Sequence, residues 1–203
     1  GPGCICAEVS VAIASLGYFL PLAPGSSAIA SMGGLIANNT SAHIVDTSIG
    51  KPSDYVLAVE AVLPTGEIIE TGTFGLRRPA GTDLTRLFVG GDGLFGVITR
   101  IRMRLLPTFE RAQGVAFFRD GRDLARAVQR TYTDRCPPPL FMEFMDERTA
   151  KIGYGLKKIE APEGSILLYV SIGNTGADAR GNAEKVLEAI RKEGPEEAYL
   201  VED

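Results

Sequence analysis

Two stretches rich in glycine and other small residues, 24–41 and 90–98, dominate the first half of the chain. Residues without large side chains let the main chain, with its N–H donors, lie directly against a phosphate or a flat ring. The pair of stretches therefore predicts a cofactor-binding surface made largely of backbone.

The known glycine-rich phosphate motifs do not fit either stretch. Residues 91–96 have the spacing G-x-G-x-x-G, but they lead into a strand pattern and do not open a strand–helix unit, and no glycine followed by lysine and serine or threonine is present in either stretch. These patterns mark the Rossmann dinucleotide site and the Walker loop, respectively. A different architecture must therefore bring the backbone to the cofactor.

Composition excludes several classes of function for this chain of 203 residues. With 21 basic and 25 acidic residues and no basic stripe, nucleic acid is not an expected partner. The longest apolar runs, such as Ile166–Ile172, are too short to span a bilayer, and residues 1–20 lack the pattern of a secretory signal. Three cysteines and a single histidine do not complete a metal site. We therefore expect a cytoplasmic protein without a metal.

Residues 1–106 mix helical and strand patterns. Apolar residues recur at helical spacing over Cys4–Ser15, and Val56–Leu63 with Glu67–Glu70 form a hairpin pattern around a proline–glycine turn. Asp83–Phe88 is expected to make one or two helical turns. Phe95–Leu106 alternates as a strand, which predicts Val97, Thr99, Ile101, Met103 and Leu105 on one face.

Pro107 marks a predicted boundary, and the pattern changes after it. Strands are predicted at Gly114–Phe118, Leu140–Met145, Ser165–Ile172 and Glu197–Val201, with amphipathic helices at Asp123–Thr133 and Asp178–Glu193. The order β-α-β-β-α-β is that of a ferredoxin-like unit, in which the helices cover one face of a sheet. The predicted class is therefore α+β.

Several blocks in residues 1–106 resemble the FAD-linked oxidase superfamily, named for vanillyl-alcohol oxidase and p-cresol methylhydroxylase. The similar branch holds D-lactate dehydrogenase and the catalytic subunit of glycolate oxidase. The matching blocks, in order, are residues 19–27, 30–41, 54–67 and 83–99.

The resemblance implies that residues 1–106 are the second half of an FAD-binding subdomain and that residues 107–203 begin a ferredoxin-like cap, or substrate, domain. It also implies that both glycine-rich stretches contact FAD, through backbone amides and neutral hydroxyls. The residues it places at the cofactor are Pro24, Gly25, Ser26, Ser27, Ser31, Gly33, Gly34, Asn38, Asn39, Thr40, Ser41, Asp92, Gly93, Gly96, Val97 and Ile98.

Members of that family also have an earlier FAD subdomain with its own phosphate loop, as well as a longer cap. The chain is therefore expected to be the middle of a family member or one subunit of a split enzyme, with a second polypeptide supplying the remaining FAD subdomain. The implied activity is FAD-dependent oxidation of a D-2-hydroxy acid, such as lactate or glycolate. The alternative is a non-catalytic fragment or scaffold subunit that binds no FAD alone.

No catalytic residue is assigned from the sequence. His43 follows the first stretch and is either a group near the flavin or an ordinary loop histidine. Arg77, Arg78 and Arg86 could contact an anionic substrate or a cofactor phosphate, but Arg77 and Arg78 are expected to lie on a solvated loop. Arg86 is expected to form a structural ion pair, and Asp46 and Asp54 are expected to cap turns.

Overall fold

The computed structural model of the chain describes residues 1–22, 24–40, 50–73, 75, 81–156, 158, 160, 162–173 and 178–202. The chain divides into two compact units, Gly1–Thr108 and Phe109–Asp203. The boundary predicted after residue 106 lies close to this division. The mixture of helices and sheets agrees with the predicted α+β class. None of the helices in the described ranges is both long enough and apolar enough to cross a membrane.

The first unit has helices α1 to α4 and strands β1 to β5. The helices are Cys6–Ala14, Met32–Ala37, Pro52–Tyr55 and Thr85–Phe88, and the strands are Tyr18–Phe19, Val56–Val62, Ile68–Gly72, Val97–Met103 and Leu106–Pro107. Strands β2 to β4 form an antiparallel sheet in the order β3-β2-β4, while β1 pairs with β5.

The hairpin predicted in this unit is confirmed. The β-branched residues of β2 favour an extended strand, and the chain reverses where Gly66 adopts a φ of +87° that other residues rarely reach. The N–H of Leu63 donates to the carbonyl of Glu67 at 2.8 Å, which closes the turn. Strand β3 then pairs with β2 from Val62↔Ile68 to Ala58↔Gly72.

Strand β4 departs from the predicted alternation at its first residues. Glu60 pairs with Arg100 and Ala61 pairs with Ile98, so the register skips Thr99. The Thr99 hydroxyl donates to Glu60 Oε1 at 2.7 Å. A bulge exchanges the two faces of a strand, so Ile98 packs on the core while Val97 is 69% exposed. The prediction that Val97 shares a face with Ile101 and Met103 was therefore wrong.

The second unit has strands β6 to β9 and helices α5 to α7. The strands are Arg111–Phe118, Phe141–Met145, Ser165–Ile172 and Glu197–Val201, and the helices are Gly121–Thr133, Glu147–Leu156 and Ala179–Arg191. The sheet is antiparallel in the order β7-β8-β6-β9. This confirms the predicted β-α-β-β-α-β order, with α6 added between β7 and β8.

Helix α6 has a weak signal in the sequence. Gly153 and Gly155 lie in its ten residues, and glycine lowers helix propensity by about 1 kcal/mol relative to alanine. Its first turn is held by Asp146, whose Oδ1 accepts the N–H of Thr149 at 2.7 Å. Ala150 of α6 is fully buried with Val115 and Ile166 of the sheet. Capping and tertiary packing therefore stabilise α6 in spite of the low helix propensity of its glycines.

The main core of the second unit lies between the sheet and helices α5 and α7. Tyr169 of β8 is 1% exposed, and its hydroxyl donates to the carbonyl of Ala183 in α7 at 3.0 Å. Its ring occupies the space beside Gly114 of β6, where a side chain is missing. One large aromatic residue therefore joins two neighbouring strands to the helical layer.

We expect Tyr169 to make the second unit sensitive to alkaline pH. Burial raises the pKa of its hydroxyl above the ordinary value. Because the folded state holds this proton more tightly than the unfolded chain, its contribution to stability is complete below about pH 10 and is lost as pH rises further. Urea unfolding from neutral to strongly alkaline pH measures this slope. The Tyr169→Phe variant, which loses the bond to Ala183, should show a shallower alkaline fall, and equal slopes would contradict the assignment.

Candidate functional site

The two glycine-rich stretches lie in direct contact. The N–H of Gly90 donates to the carbonyl of Ile36 at 3.2 Å, and the N–H of Asp92 donates to the carbonyl of Ala37 at 2.9 Å. A side-chain bond adds to them, because Asn38 Nδ2 donates to Asp92 Oδ1 at 3.2 Å. Segments that are far apart in the sequence therefore form one continuous surface of the first unit.

The first stretch folds into a tight turn followed by α2. The N–H of Ser27 donates to the carbonyl of Pro24 at 2.9 Å, and the N–H of Ala30 donates to the carbonyl of Ser26 at 2.9 Å. Ser31 then caps α2, since its hydroxyl accepts the N–H of Gly34 at 3.3 Å. Gly25 and Ser26 are exposed, whereas Pro24 is buried. Gly25 and Ser26 therefore lie on the side of the turn that faces solvent.

The N-terminal segment lies against this stretch, which the sequence did not indicate. The N–H of Met32 donates to the carbonyl of Cys4 at 2.9 Å, and the N–H of Gly33 donates to that of Pro2 at 2.7 Å. A Cβ at Gly33 would lie only 2.8 Å from Pro2 Cβ. Pro2 of the same chain therefore occupies the space beside Gly33, whereas the neighbouring Gly34 is exposed.

The second stretch holds several residues in the left-handed backbone region. Gly90, Asp92, Gly93 and Gly96 have φ values of +86°, +48°, +80° and +152°. Gly93 borders open space, whereas a Cβ at Gly96 would lie 2.5 Å from the carbonyl oxygen of Val62. Gly96 therefore serves packing against β2. Gly93 leaves its backbone open to a ligand, as in the concave arrangements of N–H groups that bind anions.

Large apolar side chains of both stretches are exposed. Ile29 is 81% exposed, Leu94 79% and Val97 69%. Val97 and Ile98 pair with Val62 and Ala61 of β2, and the side chain of Ile98 packs into the core. Exposed apolar side chains beside open backbone provide the two kinds of contact that a flat ring with attached phosphates requires.

Asn39 and Thr40 complete the first stretch. Asn39 has a φ of +50°, and its Oδ1 accepts the N–H of Ser53 at 3.0 Å. The Thr40 hydroxyl donates to Asn38 Oδ1 at 3.3 Å. The sequence did not indicate Ser53, because its contact is made by the backbone N–H, which nearly every residue type has.

The other candidate residues divide into two groups. Ser41, His43, Asp46, Arg77 and Arg78 lie outside the described residues. Asp54 Oδ2 accepts the N–H of Lys51 at 2.9 Å, which agrees with its predicted capping role. Arg86 lies 3.4 Å from Asp83 and 3.7 Å from Asp54, so the predicted structural ion pair is confirmed.

Two family models match the chain. A model described as an FAD binding domain matches residues 1–72, and one described as the C-terminal domain of FAD linked oxidases matches residues 109–203. The matched ranges fall on the two separate units of the structure.

Curated relatives carry the names of hydroxy-acid oxidoreductases. The glycolate oxidase subunit GlcD of Bacillus subtilis is 32% identical over 95% of this chain and 41% of its own length. The D-lactate dehydrogenase of Archaeoglobus fulgidus is 32% identical over 75% of this chain and 34% of its own. The mitochondrial cytochrome D-lactate dehydrogenase of Arabidopsis thaliana is 38% identical over 51% of this chain and 18% of its own. The chain thus spans less than half the length of these relatives.

A solved structure has the same fold. A structure of alkyldihydroxyacetonephosphate synthase aligns with a TM-score of 0.72 over 97% of this chain and 40% of its own, at 18% identity. At this identity the likeness is evidence for the fold alone.

The described residues fit FAD, the cofactor of the matched family. The joined stretches offer the open backbone of Gly93, the hydroxyl of Ser26 and the exposed side chains of Leu94 and Val97, which suit phosphates and a flat ring. The carboxylate of Asp92, which would repel phosphate, is engaged by Asn38. The two family matches show that the chain belongs to the FAD-linked oxidases, whose cofactor is FAD.

Proposed function

We propose that the chain is part of an FAD-dependent dehydrogenase or oxidase that oxidises a D-2-hydroxy acid such as lactate or glycolate. The observation that carries the proposal is the direct contact between residues 36–38 and 90–92, which joins the two predicted cofactor stretches. The names of the relatives support the substrate class, since a glycolate oxidase subunit and D-lactate dehydrogenases are among them.

In this proposal the first unit binds the cofactor and the second is part of the domain that shapes the substrate site. Neutral hydroxyls at Ser26, Ser27 and Thr40 and open backbone at Gly93 would contact the phosphates without adding charge. Leu94 and Val97 would cover the face or edge of a ring. When bound, FAD supplies the hydride acceptor for oxidation of the alcohol. The remaining cofactor contacts would come from a preceding subdomain, on this polypeptide or a second one, and a cytoplasmic location stays a prediction.

The proposal predicts that FAD affinity depends on the exposed apolar residues of the second stretch. Val97→Asp should weaken FAD binding by about tenfold, because it removes apolar contact and places a carboxylate near phosphate charge. Ile68→Asp is the matched control, since Ile68 on β3 of the same unit is 68% exposed and outside both stretches. Quenching of flavin fluorescence measures both affinities. Equal affinities for the two variants would contradict the site.

The oxidoreductase activity requires a separate experiment. FAD-loaded protein, mixed without oxygen with D-lactate, glycolate or L-lactate, should lose the visible absorption of oxidised flavin with a D-2-hydroxy acid or glycolate. Co-expression with the segment that this proposal places before the chain should supply the remaining cofactor contacts. Protein that retains FAD but is reduced by none of these acids would favour the non-catalytic subunit.

A further inference from the structure

The contact between the two stretches contains two non-glycine residues in the left-handed backbone region. Asn39 has a φ of +50° and Asp92 a φ of +48°. Asparagine and aspartate enter this region more readily than other residues with a side chain, but the conformation is still unfavourable. Such residues persist where the surrounding structure holds them, and they cluster at ligand sites and switch regions.

The side chain of Asn39 connects two other parts of the unit. Its Oδ1 accepts the N–H of Ser53 at 3.0 Å, at the beginning of α3. On the other side its Cβ lies 3.1 Å from the position that a Cβ on Gly90 would occupy, so the chain at Gly90 passes close to Asn39. Asn39 therefore fixes the spacing between its own turn, α3 and the second stretch.

The side chain of Asp92 is also directed to the protein. Its carboxylate accepts the Asn38 amide at 3.2 Å, and its N–H donates to the carbonyl of Ala37 at 2.9 Å. Asn38 in turn accepts the Thr40 hydroxyl, so both ends of its amide are used within the protein. We name the group Asn38, Asn39, Ser53, Gly90 and Asp92 the clasp.

We propose that Asn39 and Asp92 are positioning residues, which hold the two stretches in the geometry that binds FAD. Their side chains form hydrogen bonds within the protein and none to the cofactor. The proposal rests on the proposed function and deepens it. A surface held in its bound geometry before the ligand arrives spends less of the binding free energy on ordering. Loss of the clasp should therefore weaken FAD binding while the fold of the unit is retained.

Substitutions can separate positioning from direct contact. Asn39→Gly keeps the left-handed backbone accessible but removes the bond to Ser53, while Asn39→Ala removes the bond and strains the backbone as well. Asp92→Asn retains an oxygen that accepts the Asn38 amide, whereas Asp92→Ala has none. The two Asn39 variants differ in backbone strain, so their comparison measures the contribution of the backbone. The two Asp92 variants differ in the acceptor for the Asn38 amide, so their comparison measures the contribution of the side chain.

The test combines FAD affinity, from flavin fluorescence, with amide hydrogen exchange on the free chain. We expect Asn39→Ala to lower FAD affinity by about tenfold, Asn39→Gly to lower it less, and Asp92→Asn to restore the affinity that Asp92→Ala loses. Exchange at the Ser53 amide should accelerate in both Asn39 variants, while both still unfold cooperatively in urea, with the midpoint of Asn39→Ala below that of Asn39→Gly.

Three outcomes would overturn the proposal. Unchanged exchange at Ser53 in Asn39→Ala would show that the clasp does not hold α3. Unchanged FAD affinity in the same variant would show that the clasp is unconnected with binding. Equal loss of affinity in Asp92→Asn and Asp92→Ala would show that the carboxylate itself contacts the ligand. Failure of the wild-type chain and the Ile68→Asp control to bind FAD, even when each is co-expressed with the preceding segment, would instead overturn the proposed function, and the exchange data remain valid in that case.

Discussion

Replacing Gly114 with alanine should lower the free energy of unfolding of the second unit by about 3 kcal/mol or more. A Cβ at this position would lie 2.2 Å from Tyr169 Cζ and 2.3 Å from its hydroxyl oxygen. The ring has little room to retreat, because Tyr169 is 1% exposed and bonded to Ala183. The backbone of Gly114 is equally constrained, since β6 pairs with β8 on one side and β9 on the other.

Gly153→Ala provides the matched control for this change. Gly153 lies inside α6 with nothing within 4 Å of its added Cβ, so alanine should be neutral or stabilise the helix by up to about 1 kcal/mol. Urea denaturation followed by circular dichroism gives both values. Combining Gly114→Ala with Tyr169→Leu tests the cause, because the double variant should lose less than the sum of the two single losses. If the losses of the two single variants simply add, the Gly114→Ala side chain does not clash with the ring of Tyr169.

Replacing Gly72 with alanine should cause a loss of similar size in the first unit. A Cβ there would lie 2.1 Å from the carbonyl oxygen of Leu57 and 2.8 Å from the Thr85 hydroxyl. The Thr85 hydroxyl lies 3.0 Å from that of Thr71, and both residues are buried. Alanine would therefore disturb the join between the sheet and α4. We expect a loss of about 3 kcal/mol, of which about 1 kcal/mol reflects the left-handed backbone.

Gly66→Ala separates the two contributions at Gly72. Gly66 has a φ of +87°, close to the +83° of Gly72, but its added Cβ meets nothing within 4 Å. Its replacement should cost only the backbone contribution of about 1 kcal/mol. The difference between the two variants in urea midpoint then measures the crowding at Leu57 and Thr85. Equal losses would show that crowding contributes nothing.

The order of helices and strands along the second unit could be predicted because each element carries its own periodic pattern. Apolar residues on one side of α7 and along β8 indicate a helix covering a sheet, and the structure buries Val186, Ile190 and Leu167 in that manner. The hairpin of β2 and β3 was equally clear, since β-branched residues flank a proline–glycine turn. Local patterns specify local structure.

The remaining features depend on contacts that no local pattern records. The bulge at Thr99 reverses the face of Val97, and the bond from Thr99 to Glu60 that accompanies it forms only after the strands pair. Helix α6 contains two glycines and becomes stable through Asp146 and the burial of Ala150.

In the candidate site, glycine content identified the two stretches but not the purpose of each glycine. Gly33 accommodates Pro2, and Gly96 accommodates the carbonyl of Val62, while Gly93 borders open space. The bond between Asn38 and Asp92 joins residues 54 positions apart, a pairing that single-sequence reasoning does not provide.

Titration of the isotope-labelled chain with FAD, followed by ¹⁵N NMR, tests most directly whether the two stretches form one cofactor surface. The method detects weak binding, which is expected when part of the phosphate contacts comes from another segment. At millimolar FAD the largest shift changes should fall on the described residues of 24–40 and 90–98, and both stretches should titrate with one dissociation constant. Unchanged signals in both stretches, or largest changes in residues 109–202, would contradict the assignment.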